Sequence, residues 1–343
     1  MKTKLFAIFT LSVLVLNMAG SALADTKAKK AANAAAIVAI LPASDGVVVF
    51  DIKTFLGSAL PQMLSGNQAM LAEVTKAIDE AKAKTGIDVR QFETLAAGVS
   101  ATKIKEKEYD LDSVLIARGQ VSSGAVLAAA KLAAKGKYRE EKIGEKTIYI
   151  FDAREVVAQN APQTTGIHAK ILKAFSNEMA AYAVDANTLA FGSVEKVKAT
   201  AAGTTKVDKE ITDLLSKTGV ATFAARVPAG MSDFLPLDND ELGKNIDSIK
   251  MMYGSMNVNA AGTTLSATAR TLQAEQAVGL KETLDGLQML GKMFLGNAKG
   301  ADKEVYARLI DNVKFTNKGN ELSMDLAIAQ TDVDFLVGLL AKK

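Results

Sequence analysis

The sequence predicts an α+β protein of two duplicated lobes, each a mostly antiparallel sheet covered by helices on one face. Three observations carry this expectation. Hairpin signals recur between short β-rich runs, and helical stripes gather in blocks instead of alternating with single strands. A strand–turn–helix pattern also occurs twice, roughly 150–175 residues apart, a spacing that marks duplicated domains and not a short-period solenoid. With 49% hydrophobic residues, the chain can bury enough apolar surface to do without cysteine, of which it has none.

The N-terminus has a charged start, an apolar centre and a small-residue end. Lys2 and Lys4 precede Leu5–Leu16 (LFAIFTLSVLVL), and Ser21-Ala22-Leu23-Ala24 follows. That order is a secretory signal with cleavage after Ala24, and its apolar run is short for a membrane span. Residues 1–24 are therefore expected to leave the chain, and a membrane contact is expected only if they are retained. Their removal takes two lysines and no acids, lowering the formal charge from +3. Such a near-neutral chain exerts no strong pull on nucleic acid or anionic lipid. A periplasmic or secreted location is the expectation.

Residues 25–45 read as a linker, with the Ala- and Lys-rich Asp25–Ala36 as a tether or frayed helix. The first α+β domain is expected over 46–217 and the second over 218–343. Gly46–Ile52 (GVVVFDI) reads as a buried strand. Over Asn67–Lys84, Met70, Leu71, Val74, Ala77, Ile78 and Ala81 form a helical stripe that Asn67 can cap and Gly86 ends. Strands follow at Phe92–Lys103 and Ser113–Gln120, joined by the charged Glu106–Asp110. Ser123–Lys135 is a helix apolar almost all round, which predicts cover on two sides. Hairpins are expected at Lys137–Asp152 around Gly144 and at Ala180–Phe191 around Asp185-Ala186-Asn187. Helices at Val194–Ala201 and Lys209–Lys217 close the first domain.

The repeat matches Ser113–Gly136, with Ala117-Arg118, to Thr264–Gly291, with Ala269-Arg270. Leu95–Lys103 and Ile249–Val258 precede the two copies, and the hairpins Lys142–Asp152 and Val313–Ile328 come after them. Val220–Val227 then corresponds to Val47–Ile52. Thr331–Ala341 is a terminal helix with Val333, Leu336, Val337 and Leu340 toward the sheet.

Leu41-Pro42-Ala43-Ser44-Asp45, directly before the first strand, resembles the Leu-Pro-Ala-x-Asp opening of a domain-of-unknown-function family of exported bacterial proteins. Thr85-Gly86-Ile87-Asp88 and Asp185-Ala186-Asn187-Thr188-Leu189 before Phe191-Gly192-Ser193 share in the resemblance. It implies the fold and the export, and it brings no catalytic residue.

Catalytic and ligand motifs fare poorly. The single histidine, His168, lies in a loop with no Gly-x-Ser-x-Gly elbow to supply a nucleophile. One histidine without cysteine makes a poor zinc set, and no metal or cofactor is expected. Ser193-Val194-Glu195-Lys196 matches Ser-x-x-Lys, yet the same residues make a sound helix start with Ser193 as cap. Gly286–Lys292 mimics a phosphate loop inside a helix, with Met293 where Ser or Thr is required. Asp238-Asn239-Asp240-Glu241 lacks calcium-loop spacing and reads as a solvated loop.

Two features stand out. Met251, Met252 and Met256 on a strand, with Met289 and Met293 on the helix expected to cover it, suit a gap-filled core or a forgiving apolar pocket. Gly279, Gly286 and Gly291 in that helix suggest close helix–sheet contact. The leading expectation is a non-enzymatic envelope interaction or scaffold module with an envelope-protein partner. A carrier of an apolar or lipid-like ligand comes second, and a hydrolase using carboxylates or Ser193 with Lys196 third.

Overall fold

A computed structural model describes residues 32–105, 108–152, 178–216, 218–230, 240–296 and 300–341. In chain order these form helix α1 (32–38), strand β1 (Gly46–Phe50) and a helical stretch α2 made of Ile52–Thr54, a π segment Phe55–Ala59 and Leu60–Met63. Then come α3 (Gln68–Thr85), β2 (Phe92–Lys105), β3 (Glu108–Gly119), α4 (Ser123–Ala133), β4 (Tyr138–Ile143) and β5 (Lys146–Asp152). These are followed by β6 (Glu178–Asp185), β7 (Thr188–Ser193), α5 (Val194–Ala202), α6 (Lys209–Leu214), β8 (Ala221–Arg226) and α7 (Asp240–Asp247). The remainder is β9 (Ile249–Asn259), β10 (Gly262–Thr271), α8 (Ala274–Gly296), α9 (Ala301–Asn312), β11 (Val313–Lys318), β12 (Glu321–Ala329) and α10 (Gln330–Ala341). The signal residues 1–24 and His168 lie outside the described residues.

Two compact units result, one within 25–53 and 72–212, the other within 54–71 and 213–343. In the first, strands pair antiparallel in the order β1-β2-β3-β7-β6-β5-β4. Local chemistry sets the turns: Gly144, at φ +62, reverses the β4–β5 hairpin. The Asn67 carboxamide caps α3 by accepting from the Met70 N–H at 3.0 Å. Asp88 caps the turn after α3 and binds the Arg90 Nε at 2.8 Å and the Lys82 Nζ at 2.9 Å.

Helices cover both faces of this sheet, which corrects the expected cover on one face. Leu127 of α4 packs with Ala181, Leu189, Tyr149 and Phe151 on one side. Alternation turns Ile148, Ile150, Ala180 and Ala190 the other way, and all four are fully buried there. Lys146, on the same side as Ile148, donates to the Ala201 carbonyl of α5 at 2.6 Å. The ion pairs show the same sandwich. Lys131 of α4 reaches Glu140, while Lys198 of α5 reaches its neighbour Glu141 on the opposite face. The physical reason is visible in β5 through β7, whose apolar residues run continuously instead of alternating.

Three further expectations change. Only Ser123 and Leu127 of α4 are buried, and Leu132 is 80% exposed, so this Ala-rich helix is covered on one side. Alanine favours helix without demanding cover. Residues 32–45, read as linker, hold a helix with Ile37 and Leu41 fully buried. The Lys206 Nζ donates to the Ala39 carbonyl at 2.7 Å and the Lys196 Nζ to the Ala43 carbonyl at 2.6 Å, strapping the segment down. The acidic cluster is not all loop, because Asp240 and Glu241 begin α7; Asp238 and Asn239 lie outside the described residues.

The second unit pairs β8-β9-β10-β12-β11, all antiparallel, with Gly319 at φ +61 in the last hairpin. Its apolar face takes Leu280 and Leu284 of α8 against Ile249, Met252, Ala269, Phe315 and Leu322. Val333 and Val337 of α10 are buried. Helices α9 and α10 are joined by Arg308, which donates to Asp332 from Nη2 at 2.6 Å and Nε at 3.0 Å. The Asp332 side chain is only 3% exposed. The opposite face of the sheet carries a polar row across five strands, Thr222–Ser255–Ser266–Asp325–Lys314.

Arg308→Ala leaves a buried carboxylate unpaired and should lower stability in urea unfolding more than Asp332→Asn, which frees a half-exposed guanidinium. Equal losses would show that the pair is solvated. Hydrogen bonds from Arg90, and after them from Lys82, hold the Asp88 carboxyl well below the usual carboxylate range. Its stabilising contribution is full above about pH 4 and is lost as pH falls toward the depressed value. The stability gap between wild type and Asp88→Asn should therefore be widest at pH 7 and shrink below about pH 4. A gap that stays constant down to pH 2.5 would contradict this.

Candidate functional site

Helix α8 has two unlike sides. Inward, Ala277 and Leu280 are buried, and Leu284 continues the stripe onto the sheet. The Gln288 Nε2 donates to the Ile310 carbonyl at 2.6 Å and the Val313 carbonyl at 2.9 Å, joining α8 to the end of α9 and the start of β11. The Lys292 Nζ lies 3.0 Å from an Asp311 oxygen. A Cβ on Gly291 would stand 2.9 Å from the Ile310 Cδ1, so glycine there lets α9 approach closely.

Outward, the helix is bare. Leu287 is 47% exposed, Met289 65%, Leu290 50%, Met293 63% and Phe294 79%. At 100° per residue these positions and Gly286 share one broad arc. Gly286 faces open space, with nothing within 4 Å of a Cβ placed there. Gly279 meets only Asn245 at ordinary distance. The expected close contact between helix and sheet is thus made at none of the three glycines; Gly291 alone makes a close approach, and it meets Ile310 of α9. Five large apolar side chains so exposed leave on the order of 500 Å² of contiguous apolar surface, at the upper end for a monomeric protein.

The methionines do not assemble as a pocket. Met251 and Met256 are 2% and 4% exposed, and Met252 is half-buried in the sheet–helix cluster. Met252 and Met256 pair with Ala269 and Leu265 on the helix-covered face, whereas Met251 pairs with Arg270 on the other. Met289 and Met293 point to solvent. The cause is angular: Met289 lies five residues, or about 140°, from the inward Leu284. The strand methionines are core, and the helix methionines belong to the bare arc.

The Ser193–Lys196 pairing is not formed either. The Ser193 oxygen is buried without a hydrogen-bond partner and does not cap α5. The Lys196 Nζ reaches Ser100 Oγ and the Ala43 carbonyl, both at 2.6 Å, and burial pushes its pKa down. Lys196 is therefore a strap between the residue 43 segment and β2. The Gly286–Lys292 stretch is uninterrupted helix, as a false phosphate loop should be. Among the described residues no three His, Cys, Asp or Glu side chains gather to hold a metal. A shallow groove of about 240 Å³ lies on the polar face of the second sheet, lined by Ser255, Asn257, Ser266, Lys314 and Asp325.

Ser193→Ala should leave the unfolding midpoint unchanged or slightly raised, because it removes an unsatisfied buried hydroxyl. A working cap would lose about 1 kcal/mol instead, and that loss would restore the cap reading.

No protein-family model matches the chain, and no curated protein matches it in sequence. Solved structures similar to it include TP0453 in three crystal forms. Form III is 8% identical over 88% of this chain and 96% of that one, form I is 10% identical over 89% and 97%, and form IV is 9% identical over 88% and 95%. The TM-score is 0.41 in each case, too low to carry fold or function across.

Proposed function

We propose that this chain is an exported envelope protein without enzymatic activity, an interaction module that docks an apolar partner on the outer side of α8. One observation carries the reading: Leu287, Met289, Leu290, Met293 and Phe294 stand exposed on a helix anchored through Leu280, Leu284 and Gln288. The signal-like Met1–Ala24 and the Leu41–Asp45 likeness to exported proteins support the compartment, periplasmic or beyond. A carrier enclosing an apolar ligand has less support, since Met289 and Met293 face away from Met252.

The two units are, on this proposal, copies of one plan. Strand order β1-β2-β3-β7-β6 in the first parallels β8-β9-β10-β12-β11 in the second. A helix follows the third strand in both, and another follows the final hairpin. The β4–β5 hairpin is then an insertion peculiar to the first unit.

Fractionation of the native host tests the reading. The protein should be recovered with the envelope and begin at Asp25 by intact mass. Joint Leu290→Glu and Phe294→Glu substitution should free it at least tenfold from that fraction while leaving its unfolding midpoint in place, because both side chains are already exposed. Full-length protein in the cytosol, or undiminished envelope association of the double variant, would overturn the proposal.

A further inference from the structure

We infer that the occupant of the bare arc on α8 is the surface of a phospholipid bilayer, in which the C-terminal half of the helix lies side-on. The inference rests on the docking reading above and names its partner. Its strongest support is the absence of any hydrogen-bonding side chain from the outer arc of residues 286–294. The polar residues in that stretch, Gln288 and Lys292, are both engaged with α9 and its junction to β11. A protein partner forms about one hydrogen bond per 100–200 Å² of interface, and an arc of this size offers no side chain for one. Hydrocarbon asks for none.

Charge and length agree. Helix α8 holds Lys281 and Lys292 against Glu275, Glu282 and Asp285, so it has no cationic excess to draw it to anionic headgroups. Attachment must come from apolar burial, which makes it indifferent to salt and to lipid charge. Among the described residues no helix is long and apolar enough to cross a membrane. The geometry therefore fits a helix in the plane of the interface, immersed along the roughly 12 Å that residues 286–294 span. Tyr306 on the adjoining α9 is 44% exposed and is the residue type that settles at headgroup level. This attachment is independent of whether residues 1–24 are retained.

The chain has no cysteine, so single-cysteine variants can be labelled cleanly. Met293→Cys on α8 and Thr316→Cys on the polar face of β11, each in the protein as isolated from its host, would carry an environment-sensitive fluorophore. The probe is phosphatidylcholine vesicles, with and without acyl-chain spin-label quenchers. The label at 293 should shift to the blue and be quenched from within the bilayer, equally at about 0.1 M and about 0.5 M salt. The label at 316 should stay in water. Adding Leu290→Glu and Phe294→Glu should cut the vesicle response of the 293 label at least tenfold. No response to vesicles overturns the inference, as does a response that needs anionic lipid or a blue shift that grows with protein concentration without lipid, the mark of a second copy. If the charged variants still release the protein from the host envelope while pure lipid gives nothing, the docking reading stands and the bilayer falls.

Discussion

The side-chain amide of Gln288 decides which way α8 faces. By donating to two carbonyls where α9 ends and β11 begins, it fixes the helix rotation about its axis. Leu280 and Leu284 agree with that rotation because they lie on the same stripe. Once these three are seated, the 3.6-residue period leaves Met289, Leu290 and Met293 no inward direction to take. Leu287 and Phe294 lie within about 40° of Leu280 around the helix, so rotation alone does not account for their exposure. Any rotation that buried the arc would strand two backbone carbonyls and pull Leu280 from the core.

Local signals in the sequence were legible wherever a single residue type answers a local need. Asn67 caps α3, Gly144 and Gly319 turn hairpins, and Val333 and Val337 seat α10, all at the expected positions. Reading failed where a decision belongs to distant parts of the chain. The strand runs in β5, β6 and β7 are apolar on both faces, which already signalled two-sided cover, but nothing local says that α5 supplies the second layer. The methionines failed for another reason. Their residue type suits core and surface alike, and only the rotation set by Gln288 separates Met252 from Met289.

Residue order and strand order match the two units differently in the proposed duplication. Sequence reading matched the Lys142–Asp152 hairpin to Val313–Ile328, because both follow a strand–helix pair. Strand order instead aligns the later Glu178–Ser193 hairpin with β11–β12, since β7 and β12 each pair with the strand that bears the Arg118 or Arg270 position. Those arginines take similar parts. Arg118 donates to Thr188 at 2.9 Å, and Arg270 donates to Glu321 at 2.7 Å, each at the first residue of the neighbouring strand. A cation placed there steadies the hairpin that returns beside it, which is a reason for both units of the proposed duplicate to carry one.

The bareness of α8 gains meaning from how other exposed parts of the chain are guarded. Among the described residues β4 pairs only with β5, and it carries Arg139, Glu140, Glu141 and Lys142 in succession. Among the described residues strand β11 likewise pairs only with β12, and it presents Lys314 and Lys318 to solvent. Charges along a strand with one neighbour discourage pairing with other chains. A sequence that protects its strands in this way and still leaves Leu287, Leu290 and Phe294 uncovered is not short of charge. Glu282, Asp285 and Lys292 stand within a turn or so of the arc, and none of them interrupts it. An apolar arc kept continuous beside available charge is a surface with a use, and a solvent without hydrogen bonds is the one it suits.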